Sequence, residues 1–198
     1  MKVYTLGTAQ RQHFEFTKLL NKYGVQVVLD IRRSPASPGA PQFSRDGLQL
    51  LCSSQRAEYI YLGNDFAGGL DQELRPAQLD PNDARARTTL REWQASDGFQ
   101  RTLKIVTAKA TTRVTCVLCS ERTPEDCYRL FLAAELARAG FEVVHILDET
   151  RLWTAPLTQR RRPPASGGSH PRRADLARGG RQQGSNRPLR ADRHDLQS

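Results

Sequence analysis

The chain has 198 residues, enough for one domain with a sizeable core, and no apolar run approaches the roughly 20 residues that a membrane span needs. Its formal charge of +9 is uneven: from Arg151 onward there are 11 Arg, no Lys and 3 Asp, whereas residues 1–150 hold 19 basic and 18 acidic side chains. Basicity therefore belongs to the tail and says little about a body close to neutrality.

Residues 2–6 predict a first strand, followed by a tight turn at Gly7-Thr8-Ala9. Phe16, Leu19, Leu20 and Tyr23 recur at helical spacing and predict a helix over 11–23, which Gly24 ends. VQVVLDI at 25–31 is apolar and β-branched, the pattern of a strand covered on both faces, and it ends in Asp30, Arg32 and Arg33. SPASPGAPQ then excludes regular structure. Ser44 predicts the cap of a short helix through Cys52; a third strand is expected over 58–62, and residues 63–69 are read as a loop. Helices are expected around Leu90 and Trp93 and again over Phe99, Leu103 and Val106.

The most informative stretch runs from Arg113 to Gly140. Residues 114–118 predict a buried strand. Cys119, Ser120, Glu121 and Arg122 follow it, and Thr123-Pro124 with Asp126 predict the start of a helix that carries Cys127 and Arg129 in its first turns and stops at Gly140. A last strand covers 141–147. This alternation predicts an α/β fold: one domain over 1–150, with a mainly parallel central sheet of about five strands and helices on both faces. Residues 151–198 have five Gly, five Pro and five Leu but no Ile, Val, Met, Phe or Tyr, so they predict a disordered basic tail, with Trp153 alone suited to pack on the domain's edge. The N-terminal MKVYTLGT lacks a signal-peptide shape; with four cysteines this predicts reduced thiols and a cytoplasmic protein.

In a parallel sheet the polar ends of four strands share one edge, where open α/β sheets hold their ligands. The catalytic candidates are Cys119, Glu121 and Asp30; the ligand-binding candidates are Thr8, Arg32, Cys127 and Arg129. Asp30 and Arg32 share a strand face, which suits either holding a polar ligand or a structural ion pair. Cys119 ahead of a helix N-terminus and near Arg122 suits a nucleophile or redox thiol, and Glu121 suits proton transfer; core filling and ion pairing are the plainer alternatives for both. Cys116-Val-Leu-Cys119 spells a C-x-x-C pair, but along a strand the two thiols face opposite sides, so no metal is predicted there. A phosphate loop has no spelling here, and position 125 is Glu where cysteine-phosphatase chemistry needs Arg. No cofactor or oligomeric state follows.

The segments TLGTA at 5–9, DIRRSPAS at 30–37, the Y-x-Y-L-G…A-G-G stretch at 59–69, CSE at 119–121, CYR at 127–129 and HI at 145–146 together resemble the family called domain of unknown function 488. The resemblance implies a compact α/β domain with an enzyme-like site and no established reaction. Where that family typically has G-H-S and C-H-R, this chain has Gly7-Thr8-Ala9 and Cys127-Tyr128-Arg129, so two acid–base histidines are missing. The expectation is an enzyme for a small polar or nucleotide-like substrate. The alternatives are nucleic-acid association through the basic tail, which would be strongly salt-dependent, and a non-catalytic binding or scaffold domain.

Overall fold

The computed structural model describes residues 1–36, 39–68, 80 and 82–154; the expected tail beyond them and Gly69 lie outside the described residues. Six strands form one sheet: β1 (Lys2–Gly7), β2 (Val27–Asp30), β3 (Glu58–Tyr61), β4 (Thr115–Cys119), β5 (Glu142–Ile146) and β6 (Leu152–Thr154). Their order is β3-β2-β4-β1-β5-β6, and every pair is parallel except β5 with β6. The expected mainly parallel α/β sheet is present, with one strand more than predicted. Residues 152–154, expected to belong to the disordered tail, instead pair antiparallel with β5, and Trp153 stacks on His145 with ring centroids 4.8 Å apart.

The helices are α1 (His13–Lys22), α2 (Arg45–Ser54), α3 (Gly63–Phe66), α4 (Ala84–Ala95), α5 (Asp97–Thr112) and α6 (Arg129–Arg138). Strand alternation sorts the core into two layers. Val28, Cys116, Leu118, Leu6 and Ile146 face Phe16, Leu19 and Leu20 of α1 and Leu48 and Cys52 of α2. Val27, Leu29, Val117, Cys119 and Val143 face Phe66 of α3, Trp93 of α4, Phe99 and Val106 of α5, and Leu132 and Leu136 of α6. Ser44 caps α2 as predicted, its hydroxyl accepting from the Gly47 N–H at 3.2 Å.

Three local expectations are corrected. The proline-rich stretch read as irregular ends in a 3-10 turn at Pro41–Phe43, closed by the Ser44 N–H on the Pro41 carbonyl at 2.9 Å. The stretch read as a loop from residue 63 begins with the single-turn α3, held by the Ala67 N–H on the Gly63 carbonyl and by Trp93 Nε1, which donates to the Phe66 carbonyl at 2.9 Å. The helix expected from Thr123 begins only at Arg129: Pro124–Asp126 form a 3-10 turn, and Cys127 is extended, with φ −129° and ψ 133°. Its N–H closes the 3-10 turn on the Pro124 carbonyl, so the chain enters a new direction before α6 starts. Among the described residues no helix is long and apolar enough to cross a membrane.

Candidate functional site

Because β1 to β5 run in parallel, the polar strand ends do lie along one edge of the sheet. They form two clusters rather than one. Asp30 is opposite Leu118 in register, so its side chain points to the α1–α2 side, while Cys119 is one residue further on and points to the α3–α6 side.

In the first cluster, Asp30 is buried and fully used. Its Oδ1 accepts from the Arg32 backbone N–H at 3.0 Å and from Arg32 Nε at 2.9 Å; its Oδ2 accepts from Arg32 Nη2 and from the Tyr59 hydroxyl, both at 2.7 Å. Arg32 Nη1 donates to the Phe43 carbonyl at 2.8 Å. Burial works against the Arg32 charge, but the bonded Asp30 carboxylate outweighs it and raises the guanidinium above its ordinary value. Burial, then Asp30, push the Tyr59 phenol up as well. This is the geometry of a closed ion pair.

The second cluster is built on the end of β4. Thr8 and Ala9 strap the loop after β4 to the end of β1, their N–H groups donating to the carbonyls of Cys119 at 3.0 Å and Ser120 at 2.8 Å. Thr8, expected to touch ligand, thus contributes its backbone here. Gly7 lets the loop approach: a Cβ there would stand 1.9 Å from the Glu121 carbonyl oxygen. Arg129 locks the loop from the other side, Nη1 donating to the Glu121 carbonyl at 2.5 Å and Nη2 to the Arg122 carbonyl at 2.9 Å.

This packing brings Cys127 Sγ to 2.9 Å from Cys119 Sγ, donating to it, and Cys119 Sγ to 3.6 Å from Glu121 Oε2. Both thiols are buried and Glu121 is half-buried. Cys127, not Cys119 as expected, is the thiol at the start of α6, accepting from the Arg129 N–H at 3.4 Å. Burial and the bond to Cys119 push the Cys127 thiol well above its ordinary value. Cys52 and Cys116 are core thiols on the other face, each pushed up to about 12 by burial. The C-x-x-C spelling therefore does not meet on one side of the sheet.

The ligand atoms of Cys119, Glu121 and Cys127 all lie within 4.8 Å of one another, close enough to consider a metal. Two thiolates on one tetrahedral zinc stand roughly 3.8 Å apart, as follows from a Zn–S length of about 2.3 Å. The sulfurs stand 2.9 Å apart, between a disulfide bond and a non-bonded contact, so a shared zinc would need them to separate by roughly 0.9 Å.

Sequence reasoning missed three residues of this edge. Tyr128 joins the two clusters: its hydroxyl donates to the Ile31 carbonyl at 3.0 Å and accepts from the Arg33 N–H at 3.2 Å, and burial and then Cys119 push it up. Its place between Cys127 and Arg129 was the available signal. His145 is buried, its Nδ1 2.6 Å from Thr5 Oγ1, and burial and then the Arg129 charge lower it to about 3. Arg11 is buried beside the end of β1, with Nε on the Gly7 carbonyl at 2.8 Å and Nη2 on the Leu147 carbonyl at 2.6 Å. A lone Arg ahead of a helix carries no sequence signal for this.

The family model described as "Domain of unknown function DUF488" matches residues 12–136, and the chain belongs to that family. No match was found among curated proteins or among solved structures.

Proposed function

We propose that this member of the family is an enzyme whose reactive centre is the Cys119–Glu121–Cys127 cluster at the carboxyl end of β4, acting on a small polar substrate. The observation that carries the reading is the hydrogen-bonded series from the Cys127 thiol to Cys119 and on to the Glu121 carboxylate. Glu121 is placed to take the Cys119 proton, and the Cys127 S–H then stabilises the anionic Cys119 sulfur, which makes Cys119 the nucleophile. Arg129 holds the loop in that geometry as a positioning residue. Asp30 and Arg32 leave no acceptor or charge unpaired, which favours a scaffolding role for them over ligand contact.

The test is alkylation by iodoacetamide at pH 7 with site-resolved mass spectrometry. Cys119 is expected to label well ahead of Cys52 and Cys116, and Glu121→Gln to slow it by about 10²-fold, the usual weight of a positioned base. Labelling of Cys119 no faster than Cys52 would sink the reading.

A further inference from the structure

The Cys119–Cys127 pair has the layout of a two-electron couple, and its burial restricts what can oxidise it. Resting on the reading that this cluster is reactive, we infer that the pair is a dithiol that reduces a small hydroperoxide and closes to a Cys119–Cys127 disulfide.

The sulfurs stand 2.9 Å apart, and a disulfide bond is about 2.05 Å long, so closure needs a shift of roughly 0.9 Å. Cys127 is the residue to supply it. It is extended, between the 3-10 turn and α6, and belongs to neither element. The carboxylate assigns the roles. Glu121 Oε2 lies 3.6 Å from Cys119 Sγ and is placed to take its proton, so Cys119 becomes the anionic attacking sulfur and Cys127, 2.9 Å away, the resolving thiol. The Arg129 guanidinium, bound only to backbone carbonyls among the described residues, supplies a fixed positive charge next to the pair.

Burial selects the oxidant. Both cysteines are 0% exposed. Exchange with an external disulfide needs a third sulfur to approach along the S–S axis, which a buried pair denies to a bulky partner. A small hydroperoxide has only to approach past Glu121, which is half-buried and so reached by solvent. Cys52 and Cys116 lie in the same molecule without a carboxylate bonded to the sulfur, and serve as internal controls.

The Cys119 proton passes to Glu121. The Cys119 sulfur attacks the terminal oxygen of ROOH, an S–O bond forms and the O–O bond breaks, and the alkoxide takes the proton from Glu121 and leaves as ROH. The Cys127 sulfur then attacks the Cys119 sulfenic acid; the S–S bond forms, the S–O bond breaks, and the hydroxide leaves with the Cys127 proton as water. The two thiols lose two electrons, and ROOH gains them as ROH and H₂O. A small external dithiol such as dithiothreitol, which the same burial admits where it bars a bulky partner, returns the pair to its reduced form by exchange.

The full chain, reduced with dithiothreitol and desalted, is treated in parallel with hydrogen peroxide and with oxidised glutathione. Arg122 separates the two cysteines in sequence, so trypsin leaves the disulfide as a bridge between two peptides. Hydrogen peroxide is expected to form this bridge before it oxidises Cys52 or Cys116, with oxidised glutathione much slower. Cys127→Ser is expected to stop at a Cys119 sulfenic acid trapped by dimedone, and Cys119→Ser to form no bridge. Glu121→Gln, at a half-buried position that leaves the core intact, is expected to slow closure by about 10²-fold. Equal rates with the two oxidants, or stoichiometric zinc that shields both thiols, would overturn the inference. Fast alkylation of Cys119 without peroxide closure would also overturn it while leaving the reactive-thiol reading in place; slow alkylation together with no closure would remove both.

Discussion

The Arg129 guanidinium is bound to the Glu121 carbonyl oxygen at 2.5 Å, and no carboxylate among the described residues pairs with it. A buried charge neutralised only by carbonyl dipoles is an unusual arrangement. It makes Arg129 the clamp that fixes the loop carrying Glu121, and it relates the geometry of the thiol pair to a residue outside it. Arg129→Met should destabilise the fold by about 3 kcal/mol, since each hydrogen bond from a charged donor contributes roughly 1.5–3 kcal/mol and such losses are not additive. Urea titration checks this. A loss below about 0.5 kcal/mol, the size of an ordinary surface change, would mean that the loop holds without the clamp.

Gly7 and the loop after β4 approach each other too closely for a side chain. Gly7→Ala puts a Cβ 1.9 Å from the Glu121 carbonyl oxygen, so either β1 or the loop has to move. The expected cost is about 1–3 kcal/mol, as for other overpacked positions, together with slower alkylation of Cys119. Gly39→Ala, where a Cβ would have nothing within 4 Å among the described residues, is the control and should change stability by less than about 0.5 kcal/mol. Equal thermal unfolding shifts for the two variants would contradict the close approach.

Asp30 and Arg32 should act on stability and not on thiol chemistry. Asp30→Ala leaves the Arg32 charge buried and unpaired, which costs about 3–5 kcal/mol. Tyr59→Phe removes one hydrogen bond to Asp30 and should cost about 1–1.5 kcal/mol. In Tyr59→Phe, which retains the fold, the alkylation rate of Cys119 should match the wild type. A large fall in that rate would bring the Asp30 cluster into the reactive site.

His145 gives the fold an acid sensitivity with a defined direction. Burial, and then Arg129, hold its folded-state pKa at about 3, below the ordinary 6.5. Between those values the unfolded chain binds the proton and the folded chain does not. Its contribution is therefore fully present above pH 6.5 and is lost as pH falls towards 3, with a slope of up to about 1.4 kcal/mol per pH unit. Denaturation midpoints measured from pH 7 to pH 4 should fall more steeply for the wild type than for His145→Gln. Parallel curves would show that another group dominates.

Most of the sheet was legible because its signals are local. The continuous apolar runs at β2 and β4 say that both faces are covered, and a strand covered on both faces belongs in a parallel α/β sheet. The strand β6 was not legible: Leu152–Thr154 is held by pairing with β5, and pairing between segments has no local signature. The start of α6 was misplaced for a related reason. Thr123 and Pro124 do begin a turn, but the 3-10 turn ends after Asp126, and Arg129 then anchors the chain to the preceding loop.

The sequence alone determined that Cys119 and Glu121 stand at the end of a buried strand, and that Asp30 and Arg32 end another, because strand composition and parity are written residue by residue. Only the tertiary structure decided which of these groups meet. Neighbouring strands are offset so that Asp30 is level with Leu118, and that offset of one residue sends Asp30 and Cys119 to opposite faces of the sheet. The same register, with the approach permitted by Gly7 and the clamp of Arg129, brought Cys127 to Cys119 across eight positions of chain. Contacts between distant segments depend on register and packing, and neither can be read from one strand at a time.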